Sequence, residues 1–82
     1  MKITFKLYAS LTQYLPTGTK GHEANIEVSE GSSPTQVLEE NGVPAVHVHL
    51  VLINGLFIPH DERDNPLQEG DVLAVWPPVA GG

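Results

Sequence analysis

The sequence predicts an α+β roll: one mixed sheet of about five strands, one main helix lying on it and a protruding C-terminal tail. Three observations lead there. The N-terminal segment alternates polar and apolar residues with the two-residue period of a strand, one segment alone carries a strong helix-start signal, and the last apolar run has no polar residue on either face. At 82 residues the chain holds one domain, read as residues 1–82 with 77–82 as its extended tail.

Lys2 to Tyr8 places Ile3, Phe5 and Leu7 on one face of a first strand. Leu11, Tyr14 and Leu15 follow at helical spacing and stop at Pro16, which predicts a single helical turn. Residues 17–21 read as loop, and Ala24 to Val28 alternates again, with Ile26 and Val28 inward and Glu27 outward. The helix is predicted to start at Ser33: its hydroxyl caps, Pro34 suits the first helical position because no N–H is needed there, and Gln36 completes a capping box. Val37 and Leu38 then face the core, and Asn41-Gly42 with Pro44 beyond it ends the helix after about two turns. A third strand is expected over Val48 to Ile53, a type I′ turn at Asn54-Gly55, and a return through Leu56, Phe57 and Ile58 that Pro59 interrupts. Asp61 to Asn65 reads as a polar loop, and Glu69-Gly70-Asp71 turns the chain into Val72 to Trp76. A strand apolar on both faces belongs inside a sheet, with the alternating first strand beside it, so the tail is expected to leave from the sheet's centre.

The formal charge of -6, from 10 Asp and Glu against 4 Lys and Arg, argues against nucleic acid and anionic membranes as partners and for basic protein surfaces. The absence of cysteine excludes disulfides, thiolate nucleophiles and cysteine metal sites. Lys2 and Lys6 bracket a short alternating strand where a leader would carry a continuous apolar run, so neither a signal peptide nor a membrane helix is read, and a cytoplasmic location is expected. A domain of this size buries only about 60% of its surface, which leaves no room for a deep active site and points to a non-catalytic protein.

Pro77-Pro78 ends strand pairing, because proline lacks an N–H, and starts a stiff extended segment. Val79 and Ala80 are small and Gly81 and Gly82 have no side chain, so these residues suit a channel too narrow for a Cβ and bring a terminal carboxylate there unhindered. With a pKa of about 3.5 that group is an anion at neutral pH and a poor electrophile. Adenylation by ATP makes AMP the leaving group and lets a sulfur nucleophile form a thiocarboxylate on Gly82. Ordering a flexible tail costs roughly 1–2 kcal/mol per residue, and the two prolines lower that cost in advance. Two glycines by themselves fit an inert tail equally well.

The longer run Pro66-Leu67-Gln68-Glu69-Gly70-Asp71-Val72-Leu73-Ala74-Val75-Trp76-Pro77-Pro78-Val79-Ala80-Gly81-Gly82 is far more specific. It closely resembles the C-terminal pattern of the MoaD/ThiS family of ubiquitin-like (β-grasp) sulfur carrier proteins. Leu7 to Leu11 and Asn54-Gly55 resemble that family's first strand and turn and its hairpin. Pro77-Pro78-Val79 resembles the small subunit of molybdopterin synthase more than the thiazole-forming thiamin carrier. The resemblance implies a β-grasp fold, adenylation of Gly82 by an E1-like adenylyltransferase that consumes ATP, and conversion to a thiocarboxylate. It further implies insertion of the tail into the molybdopterin synthase large subunit, where the sulfur builds the dithiolene of molybdopterin in molybdenum cofactor biosynthesis, with no cofactor bound permanently. In this chain Trp76 stands where the family usually has Phe, and the Arg usual after the first strand is absent from Ala9 to Tyr14. The alternatives are a carrier serving a thiazole synthase or another sulfur-containing metabolite, a ubiquitin-like modifier joined to lysines through the same glycine, and a passive β-grasp binding module.

The candidate site is then Gly82 as the reacting residue, Gly81 as its slim neighbour, and Phe57, Trp76, Pro77, Pro78, Val79 and Ala80 as partner-binding residues. Phe57 and Trp76 enter on physical grounds: one short helix covers one face of a sheet, yet Val48 to Ile53 and Val72 to Trp76 are apolar on both, so apolar surface beside the tail should remain open to a partner. The competing assignment is that Trp76 completes the core. His47 and His49 would share a face of a strand at a spacing compatible with zinc, but no third ligand joins them and no metal is expected. Asp61, Glu62 and Asp64 are either a solvated loop or a docking patch for a basic surface.

Overall fold

In the computed structural model, which describes residues 1–78, the first alternating segment is strand β1, Lys2–Leu7. Ile3, Phe5 and Leu7 are buried on one side of it while Thr4 and Lys6 are half-buried on the other. A 3₁₀ helix, Ala9–Tyr14, follows and sinks Leu11 completely into the core. Then come β2 (Glu23–Glu27), helix α1 (Pro34–Glu40), a 3₁₀ turn (Ala45–His47), β3 (Leu50–Ile53), β4 (Leu56–Phe57), a second 3₁₀ turn (His60–Glu62) and β5 (Val72–Trp76). The sheet order is β2-β1-β5-β3-β4, with β1 and β5 parallel and the other pairs antiparallel. This is a mixed five-stranded sheet with one main helix, arranged as a β-grasp.

The apolar last strand occupies the centre, as its composition requires. Its register sets Leu73 against Phe5, and Val75 against both Leu7 and Val51, and all five are fully buried. Leu11 and Val37 complete that layer at 0% exposure, so the helix side of the sheet is one continuous core.

Helix α1 has the ends its sequence specifies. The Gln36 N–H donates to Ser33 Oγ at 3.2 Å and the Ser33 N–H donates to Gln36 Oε1 at 2.9 Å, a complete capping box with Pro34 at the first turn. At the far end Gly42 takes φ +77°, the Gly42 N–H donates to the Glu39 carbonyl and the Val43 N–H to the Leu38 carbonyl, with Leu38 and Val43 both buried. That is a Schellman stop with its apolar clasp. Ser33→Ala removes the hydroxyl acceptor and is expected to lower stability by about 1 kcal/mol. A urea midpoint that falls with no change in slope is the check.

Several strand ends differ from the expectation, β1 among them, which stops at Leu7 and not Tyr8. Strand β2 starts and ends one residue earlier, at Glu23 and Glu27, with Val28 bonding Met1 through backbone groups instead of continuing the strand. Strand β4 holds only Leu56 and Phe57, although the Ile58 N–H still donates to the Val51 carbonyl. The third strand begins at Leu50, not Val48. Its partner is the reason: the His49 N–H reaches the Trp76 carbonyl at 2.9 Å, but Pro77 and Pro78 have no N–H with which to extend the ladder. His47 lies in the 3₁₀ turn and His49 precedes the strand, so these two histidines do not form the same-face strand pair that their spacing predicted.

Candidate functional site

Directly paired residues and residues two apart on a strand share a face of a sheet. Trp76 pairs with Leu50, and Leu52 pairs with Ala74 on one side and Phe57 on the other. These five side chains therefore occupy one face, opposite the layer of Phe5, Leu73, Val75 and Val51 that α1 covers. Phe57 is 59% exposed and Leu50, Leu52 and Trp76 are half-buried, with only the small Ala74 between them buried, so this face stands largely open. The β1–β2 end of this face is polar instead: Lys6 Nζ lies 3.8 Å from Glu23 Oε1, and Thr4 Oγ1 donates to Asn25 Oδ1 at 3.1 Å. The open face is thus divided into a wet half over the first two strands and an apolar half around the end of β5.

At the boundary stands Tyr8. Its ring stacks on the Trp76 indole with centroids 4.2 Å apart and planes 3° from parallel, and His22 stacks on it at 4.6 Å. The Tyr8 N–H continues the parallel pairing by donating to the Val75 carbonyl at 3.2 Å. Aromatic pairs of this kind contribute about 0.5–1.5 kcal/mol beyond their buried area. The stack holds the indole flat across the β1–β5 junction, where it cannot swing into the core. The next residue, Ala9, has φ +52°, a conformation that costs an L-residue about 1–2 kcal/mol. Ala9→Gly relieves this but adds about 0.5–1 kcal/mol of chain entropy to lose, so a net stabilisation of up to about 1 kcal/mol is expected, seen as a higher thermal midpoint.

The far end of β5 is clamped to the hairpin. Asn54, at φ +53°, and Gly55, at φ +82°, form the left-handed pair of a type I′ turn. The Asn54 amide donates to Asp71 Oδ1 at 3.0 Å and its Oδ1 accepts from the Val72 N–H at 2.9 Å. Phe57 is thereby fixed in register with the central strand.

Of the residues singled out in the sequence, Trp76 and Phe57 are brought to one face and Pro77 and Pro78 follow directly from it, the first half-buried and the second exposed. Val79, Ala80, Gly81 and Gly82 lie outside the described residues. Among the described residues no group of three or more His, Asp or Glu side chains comes together as a metal site. Tyr8, Leu50, Leu52 and His22 belong to the surface but were not singled out. For the first three a signal exists: Tyr8 has the opposite parity to Ile3, Phe5 and Leu7, and a two-residue turn at Asn54-Gly55 sets Leu52 opposite Phe57. His22 sits in a loop, and no local pattern announces it.

A sheet with one helix on its back, an uncovered apolar patch on its front and the C-terminal strand at its centre defines a ubiquitin-like β-grasp protein. The Mut7-C ubiquitin family model matches residues 1–81, and the chain belongs to that family. Among solved structures it is similar to the putative molybdopterin converting factor subunit 1 from Pyrococcus furiosus, at 25% identity over 95% of this chain and 98% of that one, with a TM-score of 0.67. It is also similar to SAMP1 from Haloferax volcanii, at 20% identity over the whole of both chains and a TM-score of 0.66. A third similar structure is from the complex of subunits 1 and 2 of the molybdopterin-converting factor from Helicobacter pylori, at 20% identity over 100% of both chains and a TM-score of 0.58. The latter two likenesses are of fold alone. No curated protein matches the sequence significantly. The ubiquitin-like family and the β-grasp fold expected from the C-terminal motif both hold.

Proposed function

We propose that the chain is a non-catalytic sulfur carrier whose reacting group is the Gly82 carboxylate. The observation that carries this is the position of β5: the central strand ends at Trp76 inside an uncovered apolar patch, so the segment that follows starts beside a surface able to dock a second protein. A partner seated on Tyr8, Leu50, Phe57 and Trp76 receives Pro77, Pro78, Val79 and Ala80 next, and Gly81 and Gly82 last.

In the first step an E1-like adenylyltransferase brings a Gly82 carboxylate oxygen to the α-phosphorus of ATP, releasing pyrophosphate and leaving an acyl-adenylate. Hydrosulfide then attacks the carbonyl carbon, AMP departs with the bonding pair of the broken C–O bond, and loss of the sulfur's proton leaves a thiocarboxylate on Gly82. In the second step the same patch docks on a synthase subunit, which takes the sulfur for molybdopterin. The pairing of subunits 1 and 2 in the Helicobacter pylori factor supports a second-subunit partner of that kind. No cofactor stays bound to the carrier, and its place is the cytoplasm, where ATP is available.

Reconstitution with the E1-like enzyme of the same genome tests the first step: pyrophosphate release that depends on both the carrier and its terminal carboxylate is expected. The absence of release contradicts the proposal. Affinity capture of the molybdopterin synthase large subunit, and not of a thiazole synthase, is the expected outcome for the second step; the reverse moves the sulfur to thiamin.

A further inference from the structure

On the helix side of the sheet, away from the open patch, a groove of about 370 Å³ runs between α1 and the loop after the second 3₁₀ turn. Its floor is aliphatic: Leu38 and Val43, each 5% exposed, and the half-buried Val48. Its rim is acidic, with Glu39, Asp61 and Asp64 all exposed. Arg63 is the cation of the lining with a fixed position, and it is already engaged. Its Nη2 donates to the His49 carbonyl at 3.1 Å, and its own carbonyl accepts from the Thr35 N–H and hydroxyl, both at 3.1 Å. These bonds tie the loop to α1 and to the start of β3, so the groove is preformed. Arg63 Nε is enclosed by the fold, with no hydrogen-bond partner among the described residues.

We propose that this groove is a second docking surface, for a protein segment that carries an aliphatic side chain flanked by lysine or arginine. The aliphatic group covers Leu38, Val43 and Val48, and the cations meet Glu39, Asp61 and Asp64. Charge complementarity selects this occupant: three rim carboxylates face one committed arginine in a chain of net charge -6. The acidic loop read in the sequence as either solvated or docking thus gains an apolar floor. The groove and the Trp76–Phe57 patch lie on opposite faces of the sheet, so a partner can hold the carrier here while the open face is engaged elsewhere. Neither the groove nor its occupant depends on the sulfur chemistry.

The test is an amide NMR titration of the full chain with a capped hexapeptide alternating lysine and leucine, and with its glutamate–leucine counterpart. Saturable shifts of Leu38, Val43, Val48 and Arg63 are expected with the lysine peptide alone, with Leu50, Leu52 and Phe57 unmoved and affinity falling as salt rises. The double variant Asp61→Lys, Asp64→Lys, altered at two exposed positions, is expected to bind that peptide at least about tenfold more weakly. Shifts centred on the open face, equal binding of the glutamate peptide, or no saturable binding overturns the proposal.

Discussion

One alanine added after Gly82 is expected to abolish thiocarboxylate formation while leaving the thermal midpoint unchanged. The stabilising core, from Ile3 to Val75, lies wholly upstream of the tail, so an extension beyond Gly82 changes no packed contact among the described residues. The chemistry is sensitive where the fold is not. A further residue displaces the carboxylate by about 3.3–3.6 Å and introduces a Cβ where the two glycines present none. Misplacement of a reacting atom by about 1 Å already costs on the order of a hundredfold in rate, so a shift of a whole residue leaves no measurable adenylation. Pyrophosphate release and a melting curve on the same preparation separate the two effects. Retained transfer by the extended chain means that the terminal carboxylate is not the handle.

The second large effect is at Trp76. Trp76→Ala removes an indole that is half-buried and stacked on Tyr8, and hot-spot aromatics of this kind carry about 2–4 kcal/mol of binding, or roughly 30- to 1,000-fold in affinity. The stability loss should be smaller, about 1–2 kcal/mol, since the stack contributes about 0.5–1.5 kcal/mol and the fully buried layer of Phe5, Leu7, Leu73 and Val75 is untouched. Calorimetric titration against the second subunit, set beside urea unfolding, gives both numbers. Phe57→Ala is the cleaner companion: at 59% exposure it should move stability by no more than about 0.5 kcal/mol while still weakening the complex. If Trp76→Ala loses as much stability as binding, and Phe57→Ala loses neither, Trp76 is a core residue and the patch is not an interface.

Much of this arrangement is legible in the sequence because its causes are local. The capping box at Ser33 and Gln36, the stop at Gly42, the turn at Asn54-Gly55 and the parity of Ile3, Phe5 and Leu7 each follow from a few adjacent residues. The central position of β5 is readable too, because only an interior strand tolerates apolar residues on both faces. What escaped has non-local causes. The start of β3 is set by Pro77 and Pro78, almost thirty residues later in the chain, which end the partner ladder at Trp76. The stack of His22 on Tyr8 depends on the parallel β1–β5 pairing and on where β2 returns, neither of which the local pattern around His22 contains. The groove behind the sheet likewise needs Arg63 to meet His49 and Thr35 across the fold.

The most direct test of a sulfur-carrying Gly82 is the intact mass of the protein isolated from its native cell, with the C-terminal peptide sequenced by fragmentation. The expected result is a fraction of molecules that end at Gly82 with one oxygen replaced by sulfur, located on that residue, capped as a thioester on alkylation and lost on hydrolysis. A terminus that carries only the plain carboxylate, together with C-terminal peptides of this chain joined through Gly82 to lysines of other proteins, contradicts the carrier and makes it a modifier.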